Sequence, residues 1–258
     1  MDSRDRPIGF FDSGVGGLSV LKHAITELPN EDFLFYGDCA NVPYGEKTPE
    51  EVRSLTMSCC DLLYKKGAKA LLIACNTATS AAIHAMREKY QMPVVSMEPA
   101  VKPANLSKKP GKILVMATPG TIASSRYARL VDRIGCRERL IDLPCGGLAD
   151  LLEHGEFESP EIRTYLREKL QPFSGCEISG IVIGCTHYSF ITEQISQAAH
   201  EILRGACDIY DGMYGTVRHL KTLLQEQQLD SQTPGGNVQL FASGDQKHLE
   251  VMKKILEI

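Results

Sequence analysis

The amino-acid sequence predicts an α/β protein made of two similar, doubly wound domains with mainly parallel sheets. Short apolar segments of strand length alternate with segments of helical period along nearly all of the 258 residues. The order of these elements in the first half recurs in the second half, which indicates a duplicated unit. Two such units related by pseudo-twofold symmetry would enclose a cleft between them.

The first half is predicted to contain four strands and three helices. Apolar runs bounded by turn residues predict strands at residues 7–11, 33–36, 70–75 and 93–97. Segments with 3.6-residue spacing predict helices at residues 17–28, 49–66 and 77–90. A loop through Pro43, Tyr44 and Gly45 precedes the second helix, because proline and glycine mark turns.

The second half repeats this order of elements. Strands are predicted at residues 112–117, 139–143, 179–185 and 208–210, and helices near residues 122–134, 148–153, 160–171 and 191–203. Aligning the third strand of each half places Cys75 on Cys185. Prolines interrupt the pattern between residues 99 and 111, and the tail adds a helix, a strand near 238–241 and a last helix. We therefore predict a first domain of residues 1–99 plus 212–258 and a second of residues 100–211.

The composition excludes several classes of partner. The net charge is −4 and no run of Lys or Arg occurs, so neither nucleic acid nor an anionic membrane is expected to bind. No apolar stretch approaches the roughly 20 residues of a membrane span, and the polar start argues against a signal peptide. Nine cysteines without a CxxC pair indicate reduced thiols, and hence a cytoplasmic protein.

Each half carries one cysteine at the carboxyl end of its third strand, just before a helix. Ligands bind at that edge of open α/β sheets, and a helix N-terminus is expected to lower the pKa of a thiol. Two thiols facing one cleft suit stereoinversion at carbon, because one can remove a proton while the other delivers a proton to the opposite face. A single cysteine in such a position would more often be structural.

Short polar side chains follow both cysteines: Asn76 and Thr77 after Cys75, and Thr186 and His187 after Cys185. Beside the free N–H groups of a helix N-terminus, such side chains suit a carboxylate ligand. The alternative is that Asn76 and Thr77 only cap the helix that follows.

The first strand ends in the segment Asp12-Ser-Gly-Val-Gly-Gly17. It is not a dinucleotide fingerprint, because Ser19 stands where that motif requires glycine, and no Gly-Lys-Ser/Thr follows to make a phosphate loop. We expect the glycines to allow a tight turn and a close approach of the backbone to a ligand. Asp12 is expected to bind a base or the ammonium group of a substrate, or else to cap the next helix.

Five motifs in this order resemble those of bacterial glutamate racemases, and the resemblance extends from about residue 8 to residue 244. The motifs are Asp12-Ser-Gly-Val-Gly-Gly17, Pro43-Tyr-Gly45, Cys75-Asn-Thr77, Ala117-Thr-Pro-Gly-Thr121 and Gly184-Cys-Thr-His-Tyr188. The resemblance implies an active site between two α/β domains and interconversion of L- and D-glutamate without pyridoxal phosphate or metal. It also implies that the D-glutamate is used for peptidoglycan.

The resemblance also implies roles for individual residues. Cys75 would be the base for the D-isomer and Cys185 the base for the L-isomer, assisted by Asp12 and His187 respectively. A glutamate of the family falls on Glu153, in a segment, Asp150-Leu-Leu-Glu153, that departs from the family's Pro-Leu-Val-Glu pattern. Six residues would hold the substrate's charged groups and two more would line the pocket: Ser13, Tyr44, Gly45, Asn76, Thr77 and Thr186, then Thr118 and Thr121.

Several other functions are weighed against this one. Related aspartate racemases carry glutamate where His187 stands, which favours glutamate as the substrate. A thiol hydrolase is disfavoured because one residue separates Cys185 from His187, whereas a nucleophile and its base normally face each other from different elements. A non-catalytic amino-acid binding protein gives no reason for a cysteine in each half, and a metal site would usually bring closely spaced ligand pairs. The sequence is also compatible with a homodimer.

Overall fold

The computed structural model describes residues 3–107, 109–205 and 207–257. Its first half contains β1 (Ile8–Asp12), α1 (Leu18–Glu27), β2 (Phe33–Gly37), α2 (Pro49–Lys65), β3 (Ala70–Ile73), α3 (Asn76–Lys89) and β4 (Val94–Ser96). Then come α4 (Val101–Leu106), β5 (Lys112–Ala117), α5 (Pro119–Ile122), α6 (Ser125–Ile134), β6 (Leu140–Pro144), α7 (Leu148–Leu152) and α8 (Pro160–Leu170). The rest consists of β7 (Ile178–Gly184), α9 (Thr192–Ile202), β8 (Asp208–Asp211), α10 (Met213–Glu226), β9 (Val238–Ala242) and α11 (Gln246–Leu256).

The strands form two parallel sheets with the same internal order. The first sheet has the order β4-β3-β1-β2-β9 and the second the order β6-β5-β7-β8. When the four strands of each half are numbered one to four in chain order, the first sheet contains the order four-three-one-two and the second sheet has the same order read from its other end. The neighbouring strands are parallel. This arrangement confirms the predicted fold class and the duplication.

Each central strand is covered by helices on both of its faces, which explains why the strands are continuous apolar runs. In β1, Phe10 packs with α1 and the C-terminal helices, whereas Phe11, on the opposite face, packs with α2 and α3. In β7, Ile181 and Val182 divide in the same way between two clusters. The alternation follows from the two-residue period of a strand.

The C-terminal segment packs against the first sheet. Strand β9 pairs in parallel with β2, and α10 and α11 both contact α1. The predicted division into a first domain of residues 1–99 plus 212–258 and a second of residues 100–211 stays a prediction. None of the described helices combines the length and the apolar character needed to cross a bilayer.

Two predicted segments differ from the structure. The helix predicted at residues 122–134 begins at Ser125, because Ser124 caps α6 by accepting a hydrogen bond from the Tyr127 N–H, and the short helix α5 lies almost entirely before the predicted range. The interruption predicted at residues 99–111 contains the short helix α4. Its proline, Pro103, lies in the first turn, where a missing N–H costs nothing.

Candidate active site

A cavity lies between the carboxyl ends of the two sheets and encloses about 520 Å³, including open space at its mouth. Both halves of the chain line it, and both Cys75 and Cys185 are among the lining residues. Ten of the thirteen predicted site residues line it: Ser13, Tyr44, Gly45, Cys75, Asn76, Thr77, Thr118, Cys185, Thr186 and His187. The other three, Asp12, Glu153 and Thr121, contact these residues from behind.

Cys75 caps α3 with its own sulfur. The sulfur accepts hydrogen bonds from the Ala78 N–H at 3.4 Å and from the Ser13 hydroxyl at 3.2 Å. The alternative that Asn76 or Thr77 caps this helix is therefore wrong. The expected lowering of the thiol pKa is also wrong: burial, assisted by the charge of Asp12, raises the pKa of Cys75 to about 12. Removing the sulfur from water outweighs the two hydrogen bonds that the sulfur accepts.

Asn76 is a buried polar side chain without a partner. It is 4% exposed, and neither its amide oxygen nor its amide nitrogen has a hydrogen-bond partner among the described residues. Since it lines the cavity, a bound ligand would satisfy both atoms.

Cys185 lies next to His187 in space as well as in sequence. The Cys185 sulfur is 3.8 Å from Nδ1 of His187. Cys185 has extended backbone angles and a 3₁₀ helix begins at Thr186, so the chain turns back and brings the imidazole to the sulfur. The expectation that these two side chains do not face each other is therefore wrong.

His187 is held from its other side by Glu153. Its Nε2 atom is 2.6 Å from a carboxylate oxygen of Glu153, which also accepts from the Val15 N–H at 3.2 Å. Burial by itself lowers the pKa of His187, but hydrogen bonds to Cys185 and Glu153 outweigh it, so the pKa lies well above its usual value. Cys185 on one side of the buried ring and Glu153 on the other thus both favour the protonated form of His187.

Asp12 occupies a fully buried position beneath the cavity. One carboxylate oxygen accepts from the Gly14 N–H and the other from the Thr186 hydroxyl, both at 3.1 Å. Burial raises the pKa of Asp12 to about 6, although the charge of His187 and both hydrogen bonds lower it. The alternative that Asp12 caps α1 is wrong, because Gly17 occupies the cap position.

Three threonine hydroxyls join the two halves at one side of the cavity. The Thr77 hydroxyl lies 3.0 Å from that of Thr118 and 3.2 Å from that of Thr121, and the latter two are 3.0 Å apart. Thr121 was predicted to line the pocket but lies one layer behind it. Its hydroxyl is engaged by the other two threonines and so supports them.

The loop that carries Tyr44 is fixed from below. The Tyr44 hydroxyl donates to Asp38 at 2.6 Å, so the hydroxyl is already engaged and the ring forms part of the wall. Asp38 also accepts from Asn41 and Ser243. Across the cleft, a Cβ added at Gly45 would lie 2.9 Å from Cβ of Thr118, so glycine is needed for the two halves to meet here.

Among the described residues that line the cavity, neither lysine nor arginine occurs. A dicarboxylate would therefore be held mainly by hydroxyls, amides and backbone N–H groups, with His187 as the one positively charged group among the described lining residues. Within residues 3–107, 109–205 and 207–257, no three His, Cys, Asp or Glu side chains are grouped so that they could hold a metal ion.

Sequence reasoning missed several residues of the site. Asp38 and the Val15 N–H support site residues, and Cys145 lines the cavity as a third thiol. Of these features, the sequence pattern pointed only to the turn around Val15, through its glycines. They were expected to let the backbone approach a ligand, but Gly14 and Gly16 lie against Glu153 and His187 instead.

The chain is similar to proteins of one family. The family model for Asp/Glu/Hydantoin racemases matches residues 17–220. The glutamate racemase of Clostridium perfringens is 47% identical over 260 residues, which cover 100% of this chain and 98% of that protein. The structure of a Francisella tularensis glutamate racemase in complex with D-glutamate has a TM-score of 0.84 and 28% identity, covering 99% of this chain and 95% of that one.

A second solved structure is similar to the same extent. The Escherichia coli glutamate racemase, in complex with L-glutamate and the activator UDP-MurNAc-Ala, has a TM-score of 0.84 and 27% identity, covering 98% of this chain and 94% of that one. The match to the family model spans most of the chain, and the identity to a relative extends over its full length. This chain therefore belongs to the Asp/Glu/Hydantoin racemase family and, within it, to the glutamate racemases.

Proposed function

We propose that the enzyme interconverts L- and D-glutamate by a two-base mechanism in which Cys75 and Cys185 serve opposite faces of Cα. The single observation that carries this proposal is that both cysteines, which follow the equivalent strands β3 and β7, line one cavity. Relatives crystallised with D-glutamate and with L-glutamate support the choice of substrate. His187, in place of the glutamate of aspartate racemases, supports glutamate over aspartate.

The proton balance of this reaction is simple. One cysteine, as a thiolate, takes the Cα proton and becomes a thiol, while the other gives its proton to the opposite face and becomes a thiolate. The substrate leaves inverted, and the enzyme is left in the opposite protonation state. A turnover in the reverse direction, or proton exchange through neighbouring groups, restores the starting state.

The neighbouring groups suit this exchange, and they differ on the two sides. On the Cys185 side, a protonated His187 donates toward the sulfur and is held by Glu153. On the Cys75 side, the Ser13 hydroxyl donates to the sulfur, and the nearby Asp12 has a pKa of about 6. Asp12 can therefore accept a proton from this side at neutral pH.

Thiolate formation at Cys75 needs a further source of stabilisation, because burial holds the pKa of this thiol near 12. The ammonium group of a bound amino acid supplies a positive charge inside the same cavity, and a nearby opposite charge favours an ionised thiol. We infer that the thiolate forms when the substrate is bound. This would protect the empty site from reactions of a permanent thiolate.

The carboxylates of the substrate have polar groups available at the wall of the cavity. Asn76 offers an amide without a partner among the described residues. Thr77 and Thr118 offer hydroxyls that otherwise bond to each other and to Thr121, whereas the Thr186 hydroxyl already donates to Asp12. No pyridoxal phosphate or metal takes part in this mechanism. The resemblance further supports a cytoplasmic enzyme whose D-glutamate is used for peptidoglycan.

One incubation tests the proposal. The purified chain, with no cofactor added, is incubated with L-glutamate in deuterated water, and both the enantiomers and Cα deuteration are followed with time. We expect D-glutamate to form with deuterium at Cα, and much slower turnover of aspartate. Borohydride treatment should leave the activity unchanged. No racemisation, activity lost on borohydride treatment, or equal efficiency on D-aspartate would each contradict part of the proposal.

A further inference from the structure

The turn between β1 and α1 contacts the acid/base residues of the other half of the chain. Glu153 lies against Gly14, and a Cβ built at Gly14 would lie 2.7 Å from one carboxylate oxygen and closer still to the other. A Cβ built at Gly16 would lie 2.5 Å from both Nδ1 of His187 and the Thr186 hydroxyl. Between the two glycines, the Val15 N–H donates to the Glu153 carboxylate.

Space, rather than backbone conformation, requires glycine at these two positions. Neither Gly14 nor Gly16 has a positive φ, so the backbone angles themselves allow alanine. A Cβ that approaches a heavy atom closer than about 3 Å forces one of the two to move, because the interior is close-packed. The groups that would have to move are Glu153 and His187.

The backbone next to Glu153 is held in place, so an added methyl would displace the carboxylate end of this side chain. The chain directly after it turns at Gly155, which has φ +75°. A Cβ built at Gly155 would be 3.3 Å from Val251 and 3.7 Å from Ile255, both on α11. The segment that carries Glu153 is thus packed against first-sheet elements on two sides, the glycine turn and α11.

We infer that Gly14 and Gly16 are positioning residues for the Cys185 side of the reaction: their missing side chains let Glu153 and His187 reach the place where His187 contacts the Cys185 sulfur. The inference rests on the proposed two-base function. It predicts an asymmetric effect, because the methyl groups added at Gly14 and Gly16 would meet Glu153 and His187. Gly14 reaches the Cys75 side only through its N–H, which donates to Asp12 and which alanine retains.

Racemisation alone cannot reveal this asymmetry, since it needs both cysteines in either direction. Elimination from a glutamate analogue with a leaving group at the β carbon needs only one proton removal, and hence one cysteine. The enantiomer that a Cys75→Ser variant still processes defines the Cys185 side. The two enantiomers of 3-chloroglutamate therefore report on the two sides separately.

The test compares full-length Gly14→Ala and Gly16→Ala with the wild-type enzyme. Elimination from the Cys185-side enantiomer should fall by roughly 100-fold, and from the other enantiomer by about twofold at most, because small misplacements of a catalytic group have effects of that size. Gly215→Ala is the control, since nothing lies within 4 Å of its added Cβ and it is not part of the site. Equal losses for both enantiomers, or no loss, would overturn the inference.

Gly17 provides a matched variant in the same turn. A Cβ built there would lie 2.5 Å from Cβ of Asp12, the residue proposed to assist Cys75. Gly17→Ala should therefore reduce elimination mainly from the opposite enantiomer. If Gly14→Ala and Gly17→Ala both lost elimination mainly from the same enantiomer, the effect would not depend on which residue the added methyl meets. The inference would then be wrong.

A double-mutant cycle distinguishes positioning from general damage to the fold. If the Gly14→Ala methyl acts by displacing Glu153, adding it to a Glu153→Ala variant should change elimination by less than about twofold, because the displaced group is gone. A loss as large as in the wild-type background would overturn the inference. A wild-type enzyme that does not racemise glutamate would instead refute the proposed function.

Discussion

The Nε2 atom of His187 lies 2.6 Å from a carboxylate oxygen of Glu153, and both side chains are nearly inaccessible to solvent. A charged imidazole in such a position depends on its partner, because burial alone favours the neutral form. The Cys185 sulfur, on the other side of the ring, depends in turn on the protonation state of His187. The pair therefore sets the acid/base properties of one side of the cavity.

Replacing Glu153 should lower the pKa of His187. In Glu153→Gln the charged acceptor is lost while the desolvation of the imidazole remains, so the pKa of His187 should fall, and only the contact with Cys185 would still raise it. Nuclear magnetic resonance of labelled histidine measures this titration directly. The exposed Glu156→Gln is the control and should leave the His187 titration unchanged. An unaltered His187 titration in Glu153→Gln would show that the carboxylate does not hold the ring charged.

The two cysteines should be separable by single substitutions. A serine hydroxyl is far less acidic than a thiol, so Cys75→Ser and Cys185→Ser should each lower racemisation by roughly three orders of magnitude or more. Each variant retains one base, so the two should eliminate from opposite enantiomers of 3-chloroglutamate, with Cys75→Ser processing the L-analogue. Cys176→Ser, outside the cavity, should racemise as the wild type does. Racemisation near the wild-type rate in either site variant would refute the mechanism.

The buried carboxyl of Asp12 should reduce stability at neutral pH. Its folded pKa, about 6, lies above its ordinary value of 3.8, so the folded state binds more protons than the unfolded state between these values. Stability should therefore fall as pH rises from about 4 to about 6, by roughly 3 kcal/mol for this group. Asp12→Asn should lack this decrease and be more stable at pH 7, while racemising more slowly. Urea unfolding of both proteins at about pH 4 and about pH 6 measures this difference in stability. The same loss of stability with pH in the wild type and in Asp12→Asn would contradict the prediction.

Most of the fold could be predicted from the sequence because burial on both faces leaves a plain pattern. Strand β7 is buried at every position, so it is a continuous apolar run with turn residues around it. The start of α6 is predicted three residues too early, at residue 122, because the apolar spacing does not show that Ser124 caps this helix. A cap depends on one hydrogen bond, and periodicity does not reveal it.

The candidate site was only partly predictable. The strand-end rule located Cys75 and Cys185, because the carboxyl ends of parallel strands meet at one edge of each sheet. The direction of the Cys75 pKa shift depends on the balance between burial and helix N–H groups, which requires the packed structure. The contact between Cys185 and His187 depends on a change from extended to 3₁₀ backbone at Thr186, which the sequence pattern did not show.

Replacing Asn76 should raise the stability of the protein and weaken its binding of substrate. Its two amide atoms are buried without hydrogen-bond partners among the residues that the structure describes, so the protein without substrate bears the cost of desolvating them, about 1–3 kcal/mol for such a group. Asn76→Leu, of similar size, should therefore unfold at a higher temperature, and its KM for glutamate should rise by roughly tenfold or more because a charge-assisted hydrogen bond is lost.

Thr56 is the matched control for Asn76, since its buried hydroxyl also has no hydrogen-bond partner in the described part of the chain but lies in α2, away from the cavity. Thr56→Val should gain stability and keep the wild-type KM. Saturating glutamate should raise the unfolding temperature of the wild type and of Thr56→Val by mass action, and much less that of Asn76→Leu. Thermal melts with and without glutamate measure all three. If glutamate stabilises Asn76→Leu as much as the wild type, Asn76 does not bind the substrate.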